Sequence, residues 1–97
     1  MSAPQFVLYH FAREAPVSSE SGSRVGFAVG RQIGGAVVRN RVRRLLREAI
    51  RPLIPRLVAC DIVIVARPPA VQAGVADLES ALADAATRAG LLRTETG

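Results

Sequence analysis

The sequence contains no lysine, one cysteine and one histidine. A lone Cys60 excludes an internal disulfide and a cysteine zinc site. It also excludes a thiol-protease arrangement, since no basic partner can be proposed for it. Cys60 reads as a small packing residue at a strand start. His10 stands on a strand between apolar neighbours and reads as structural. The eight acidic residues are scattered, with no pair spaced like a two-metal centre, and no phosphate-loop signature is present. The loop serines Ser18, Ser19, Ser21 and Ser23 have no local base. No apolar run reaches the ~18–20 residues needed to cross a membrane, and no basic-apolar-small signal opens the chain. The expectation is a cytoplasmic protein with no membrane partner. As an isolated polypeptide it does not read as an enzyme, and no catalytic or metal-binding residue is expected in it.

The 97 residues suffice for a single domain, residues 1–97, with one modest core, and 49% hydrophobic content argues that it folds. Net charge is +5, and it is unevenly placed. Residues 1–60 hold ten arginines and three acids, and residues 61–97 hold three arginines and five acids. A one-sided basic field is the usual footprint of nucleic-acid binding.

Most of that charge lies in 36–51, which the spacing predicts to be a helix. At about 100° per residue, Val38, Val42, Leu45, Leu46, Ala49, Ile50 and Leu53 share one arc of roughly 140°. Arg39, Asn40, Arg43, Arg44, Arg47 and Arg51 fall on the other side, with Arg41 on its far flank near Glu48. Arg39, Arg43, Arg47 and Arg51 form a ladder spaced by four, in which neighbours repel by a few tenths of a kcal/mol. A solvated face explains most charge runs, but such faces mix signs, and this one has almost no acid. Guanidinium groups suit phosphate through paired hydrogen bonds and stack on bases.

In chain order, Met1 to Gln5 reads as a tail. Phe6 to Phe11 is a strand with Val7, Tyr9 and Phe11 on one face and Phe6, Leu8 and His10 on the other. Arg13 to Ser23 reads as a polar, mobile connection. Arg24 to Gly30 is a second strand, expected to pair antiparallel with the first. Gln32 to Gly35 is a tight turn into the basic helix. Pro52 should drive Arg51 out of the α conformation. Asp61 to Ala66 is a near-continuous apolar run, as for a central strand buried on both faces. Val75 to Ala89 is a second helix capped by Gly90, and Thr94 to Gly97 should fray. The order β-β-α-β-α describes an α+β two-layer sandwich, helices on one sheet face and the other face available for a site.

The run from Arg24 to Arg51 closely resembles the protein component of bacterial ribonuclease P. It carries Arg39-Asn40-Arg41 inside a basic helix, preceded by Arg24-Val25-Gly26. Ala66-Arg67-Pro68-Pro69-Ala70 and Gln5-Phe6-Val7-Leu8-Tyr9 resemble further family segments, so the likeness covers roughly residues 4–92. It implies a mixed sheet with a left-handed β-α-β crossover around the basic helix, against the usual hand. It implies a ribonucleoprotein in which a large RNA, with bound magnesium ions, cuts the 5′ leader from precursor tRNA. The protein's implied partners are that catalytic RNA and precursor tRNA. Arg39, Asn40, Arg41, Arg43, Arg44 and Arg47 match basic-helix positions assigned to the RNA. Arg51 extends the same ladder, and Arg31 falls in a loop where the family is commonly basic. Tyr9 matches an aromatic position of the leader cleft, with Val7 and Phe11 its neighbours by alternation.

Gly35 stands where the family usually has Asn, and Gln32 replaces a common basic residue. The family usually opens with a further basic segment and a helix bearing leader-binding aromatics, whereas this chain starts almost at the first long strand. The expected fold is therefore the ribonuclease P protein fold lacking its N-terminal helix. The expected consequences are apolar surface around Tyr9 and Phe11, weaker leader discrimination, and self-association through that face. Two other readings of the same residues are a general or ribosomal RNA-binding module without a tRNA-processing role, and a DNA binder using the helix in a major groove.

Overall fold

In a computed structural model, the structure describes residues 2–12, 24–58 and 60–92. The expected connection at 13–23 and the fraying end at 94–97 lie outside the described residues. Four strands, β1 (Ser2–Ala3), β2 (Phe6–Ala12), β3 (Arg24–Ala28) and β4 (Cys60–Ala66), form one sheet in the order β1-β2-β4-β3. Helices α1 (Ala36–Ile50) and α2 (Val75–Arg88) pack against it. Short 3₁₀ segments at Arg31–Ile33, Arg51–Arg56 and Pro68–Gln72 join these elements.

The centre of the sheet belongs to β4, the run that is apolar on both faces. It pairs antiparallel with all of β2, from Phe6↔Ala66 to Ala12↔Cys60, and parallel with β3, from Arg24↔Asp61 to Ala28↔Val65. The expected β2–β3 hairpin is therefore wrong. The expected burial on both faces holds for one. Cys60, Ile62, Ile64 and Ala66 are buried beneath the helices, whereas Asp61, Val63 and Val65 on the other face, which no helix covers, are half-buried. The central position of β4 also separates the two strands that are neighbours in sequence. A parallel pair needs a crossover, and α1 supplies it between β3 and β4. The opening tail is also corrected, because Ser2 and Ala3 pair with Val7 and Phe6 as a two-residue edge strand, too short to show alternation in sequence.

The core lies between the sheet and the helices. Phe6, Leu8, Ile62, Ile64 and Ala66 meet Val42, Leu46, Ala49 and Ile50 of α1 and Leu78, Leu82, Ala85 and Ala86 of α2. Among the described residues no polar or charged side chain is buried with them. Arg51 does not leave the helical region as Pro52 led us to expect, since its φ and ψ are −52° and −47°. The chain instead tightens into the 3₁₀ segment, with Pro near its start where a missing N–H costs no bond. Burial of Leu53 and Leu57 on either side of Pro55 offsets the steric penalty at Arg51.

Gly90 ends α2 with φ +73°; the Leu91 N–H donates to Ala86 O at 2.9 Å and the Gly90 N–H to Thr87 O at 3.1 Å, a Schellman closure. Gly34 is more demanding. Its φ is +150°, and a Cβ there would lie 3.0 Å from Val38 Cβ and Cγ1. Gly34→Ala should cost roughly 1–3 kcal/mol. The adjacent Gly35 is extended, caps α1 without a side chain, and has nothing within 4 Å of a built Cβ. Gly35→Asn should stabilise by a few tenths of a kcal/mol through a capping hydrogen bond. Thermal melts of the two variants should move in opposite directions.

Candidate nucleic-acid interface

Docking α1 on the sheet determines which arginines face water. Val42, Leu46, Ala49 and Ile50 point inward. Asn40, Arg41, Arg44, Arg47 and Arg51 are exposed, while Arg43 is half-buried. Arg39 is half-buried too, and its Nε is shielded from solvent with no hydrogen-bond partner. Helical geometry explains the departure of Arg39 from the expected outward ladder. At 100° per residue it lies within about 20° of both Leu46 and Ile50, inside the buried arc and one turn before the core begins. The outward face is centred on Arg44.

None of Arg39, Arg41, Arg43, Arg44, Arg47, Arg51 and Arg56 is within 4 Å of a carboxylate among the described residues. Acids are used elsewhere, in Arg24–Asp61 at 3.2 Å and Arg88–Asp84 at 2.8 Å. Neutral partners orient three of the α1 arginines. Arg43 Nη1 donates to Asn40 Oδ1 at 3.0 Å, Arg41 Nη1 donates to the Val71 carbonyl at 3.4 Å, and the Arg47 guanidinium lies 5.7 Å from the Phe27 ring centroid. These contacts restrict the side chains without neutralising them. The result is a positive surface with its charge uncompensated, suited to a polyanion.

The sheet face opposite the helices carries the second cluster. The strand register aligns three rows across β2, β4 and β3, namely Phe11–Asp61–Arg24, Tyr9–Val63–Gly26 and Val7–Val65–Ala28. Tyr9 is 51% exposed and Phe11 56%, while Val7 is half-buried. The expected apolar surface around Tyr9 and Phe11 is present. Gly26 adds no side chain beside Tyr9's row, so the floor there is low. The Arg24–Asp61 pair closes the Phe11 end. Arg31 is exposed in the turn after β3, beyond the Val7 end. His10 points to the other face, opposite Ile62, and is exposed.

Sequence reasoning missed Arg24 and Val63 as parts of this surface, and Phe27 as the support of Arg47; the small size of Gly26 does suggest close approach of a ligand. Alternation could have grouped Arg24 with Gly26, but only the pairing of both strands to β4 brings them beside Tyr9. Among the described residues no group of three or more His, Cys, Asp or Glu side chains is placed to hold a metal ion. No helix among them is long and apolar enough to cross a membrane.

A family model described as Ribonuclease P matches residues 1–90. The ribonuclease P protein component of Symbiobacterium thermophilum is 47% identical over 74 residues, covering 75% of this chain and 64% of that protein. That of a Roseiflexus species is 45% identical over 73 residues, covering 73% and 60%. The chain thus spans less than two thirds of the length of these curated relatives. A solved structure of Staphylococcus aureus RNase P protein superposes with a TM-score of 0.79 at 26% identity, covering 96% of this chain and 82% of that one.

Proposed function

The chain belongs to the ribonuclease P protein family, and from that premise we propose that it is the protein subunit of a ribonucleoprotein that removes the 5′ leader of precursor tRNA. The observation that carries this reading is the α1 face, whose arginines are oriented by neutral partners and paired with no carboxylate among the described residues. That face grips the catalytic RNA. The RNA supplies the cutting chemistry and holds most of the magnesium ions that activate the attacking water. The open sheet face around Val7, Tyr9 and Phe11 takes the single-stranded leader, whose bases stack on exposed aromatic rings. Two copies meeting through that apolar face would compete with the leader.

Adding the chain to its matching catalytic RNA should lower the magnesium concentration needed for precursor tRNA cleavage, and the chain alone should cleave nothing. An unchanged magnesium requirement would leave a general RNA-binding module as the better description. Tyr9→Ala should leave folding intact, because the ring is half out of contact with the protein. It should weaken precursor relative to mature tRNA binding by roughly tenfold, near the low end for one lost base–aromatic stack. Equal effects on both tRNAs would place the leader elsewhere.

A further inference from the structure

One residue on the basic face has the wrong chemistry for a purely electrostatic surface. Val37, in the first turn of α1, is 82% exposed, more than Tyr9, Phe11 or Ile54. By helical angle it lies about 20° from Arg44 and about 40° from Arg41, in the middle of the outward arc. A β-branched residue there loses rotamer freedom in the helix and buries almost nothing in return.

Val37, Asn40, Arg41 and Arg44 line a shallow depression of about 310 Å³. That is near the lower end of the roughly 300–1,000 Å³ typical of small-ligand sites. Its polar groups are partly ordered already. Asn40 Oδ1 is engaged by Arg43, which leaves the amide nitrogen as the donor still to be used. Arg41 is tethered by one nitrogen to Val71 O, and Arg44 has no carboxylate in reach among the described residues.

We propose that this depression binds one unstacked nucleotide of RNA, its base lying on the Val37 methyls. The Asn40 amide donates to an acceptor of that nucleotide, and Arg41 and Arg44 hold its phosphate. Phosphate contacts alone would need no apolar centre. A protein partner would have to bring its own carboxylates to a rim that is cationic on two sides, whereas a nucleotide carries apolar face and anion together. The inference rests on the RNA-subunit reading and adds a base pocket to it.

The test uses the full chain with labelled backbone amides and valine methyls, titrated separately with adenosine 5′-monophosphate and ribose 5-phosphate. Both should shift the amides of Asn40, Arg41 and Arg44. Only the nucleotide should move the Val37 methyls, upfield, and it should bind about fivefold more tightly, as expected for roughly 40 Å² of apolar surface covered. In Val37→Ser, which keeps every charge, that advantage should vanish while ribose 5-phosphate binds as before. Equal affinities for the two probes with unmoved Val37 methyls would overturn the pocket. So would a fivefold advantage that survives Val37→Ser. Failure of the underlying reading shows separately, as a magnesium requirement that the chain does not change.

Discussion

Replacing Arg43, Arg44, Arg47 and Arg51 together by Gln should weaken binding to the catalytic RNA by roughly 10²–10³-fold near physiological salt. Each phosphate contact contributes about 0.7–0.9 to the log–log salt slope, a factor of roughly four to five at ~0.15 M, so four contacts multiply to that range. The slope itself should fall by roughly 3. Gln has nearly the helix propensity of Arg, and none of the four arginines has an ion pair to lose among the described residues. Removing like charges three and four apart relieves a few tenths of a kcal/mol per pair. Loss of the Arg43–Asn40 hydrogen bond and the Arg47–Phe27 contact offsets that gain. Folding stability should therefore stay within about 1 kcal/mol, and the thermal melt separates a binding defect from a folding one. An unchanged slope with unchanged affinity would remove α1 from the RNA interface.

The second large effect concerns the opposite face of the same helix. Leu46 is fully buried between the sheet and α2, and Leu46→Ala should cost about 2–5 kcal/mol through lost transfer energy and the cavity left behind. For a domain of this size that lowers Tm by roughly 10–40 °C. Melts without RNA give the intrinsic value, because a bound ligand would mask part of the loss. Val37→Ala, on the outward arc of α1, should change stability by no more than about 0.5 kcal/mol. Similar losses in the two variants would mean that the helix is not docked as described.

Both predictions rest on the period of α1, which was legible in the sequence. The apolar arc led by Val42, Leu46 and Ile50 is the buried one, and Arg44, Arg47 and Arg51 face out. Arg39 is the exception, since a spacing of four advances by 400° and slowly rotates the ladder across the helix. Its first member falls on the buried side while its last is exposed. The apolar run of β4 likewise announced its central place, and Gly90 the end of α2.

What the sequence determined by itself was local or compositional: two amphipathic helices, three of the four strands, an arginine excess unmatched by acid, and motifs distinctive enough to resemble one family. These depend on residues a few positions apart, where backbone periodicity converts spacing directly into facing. What only the tertiary structure decided was who stands beside whom across the sheet. Inserting β4 between β2 and β3 set the rows that join Phe11 to Asp61 and Arg24, and Tyr9 to Val63 and Gly26. Strand order is chosen by the burial of whole faces, a sum over distant residues, and no local spacing records it.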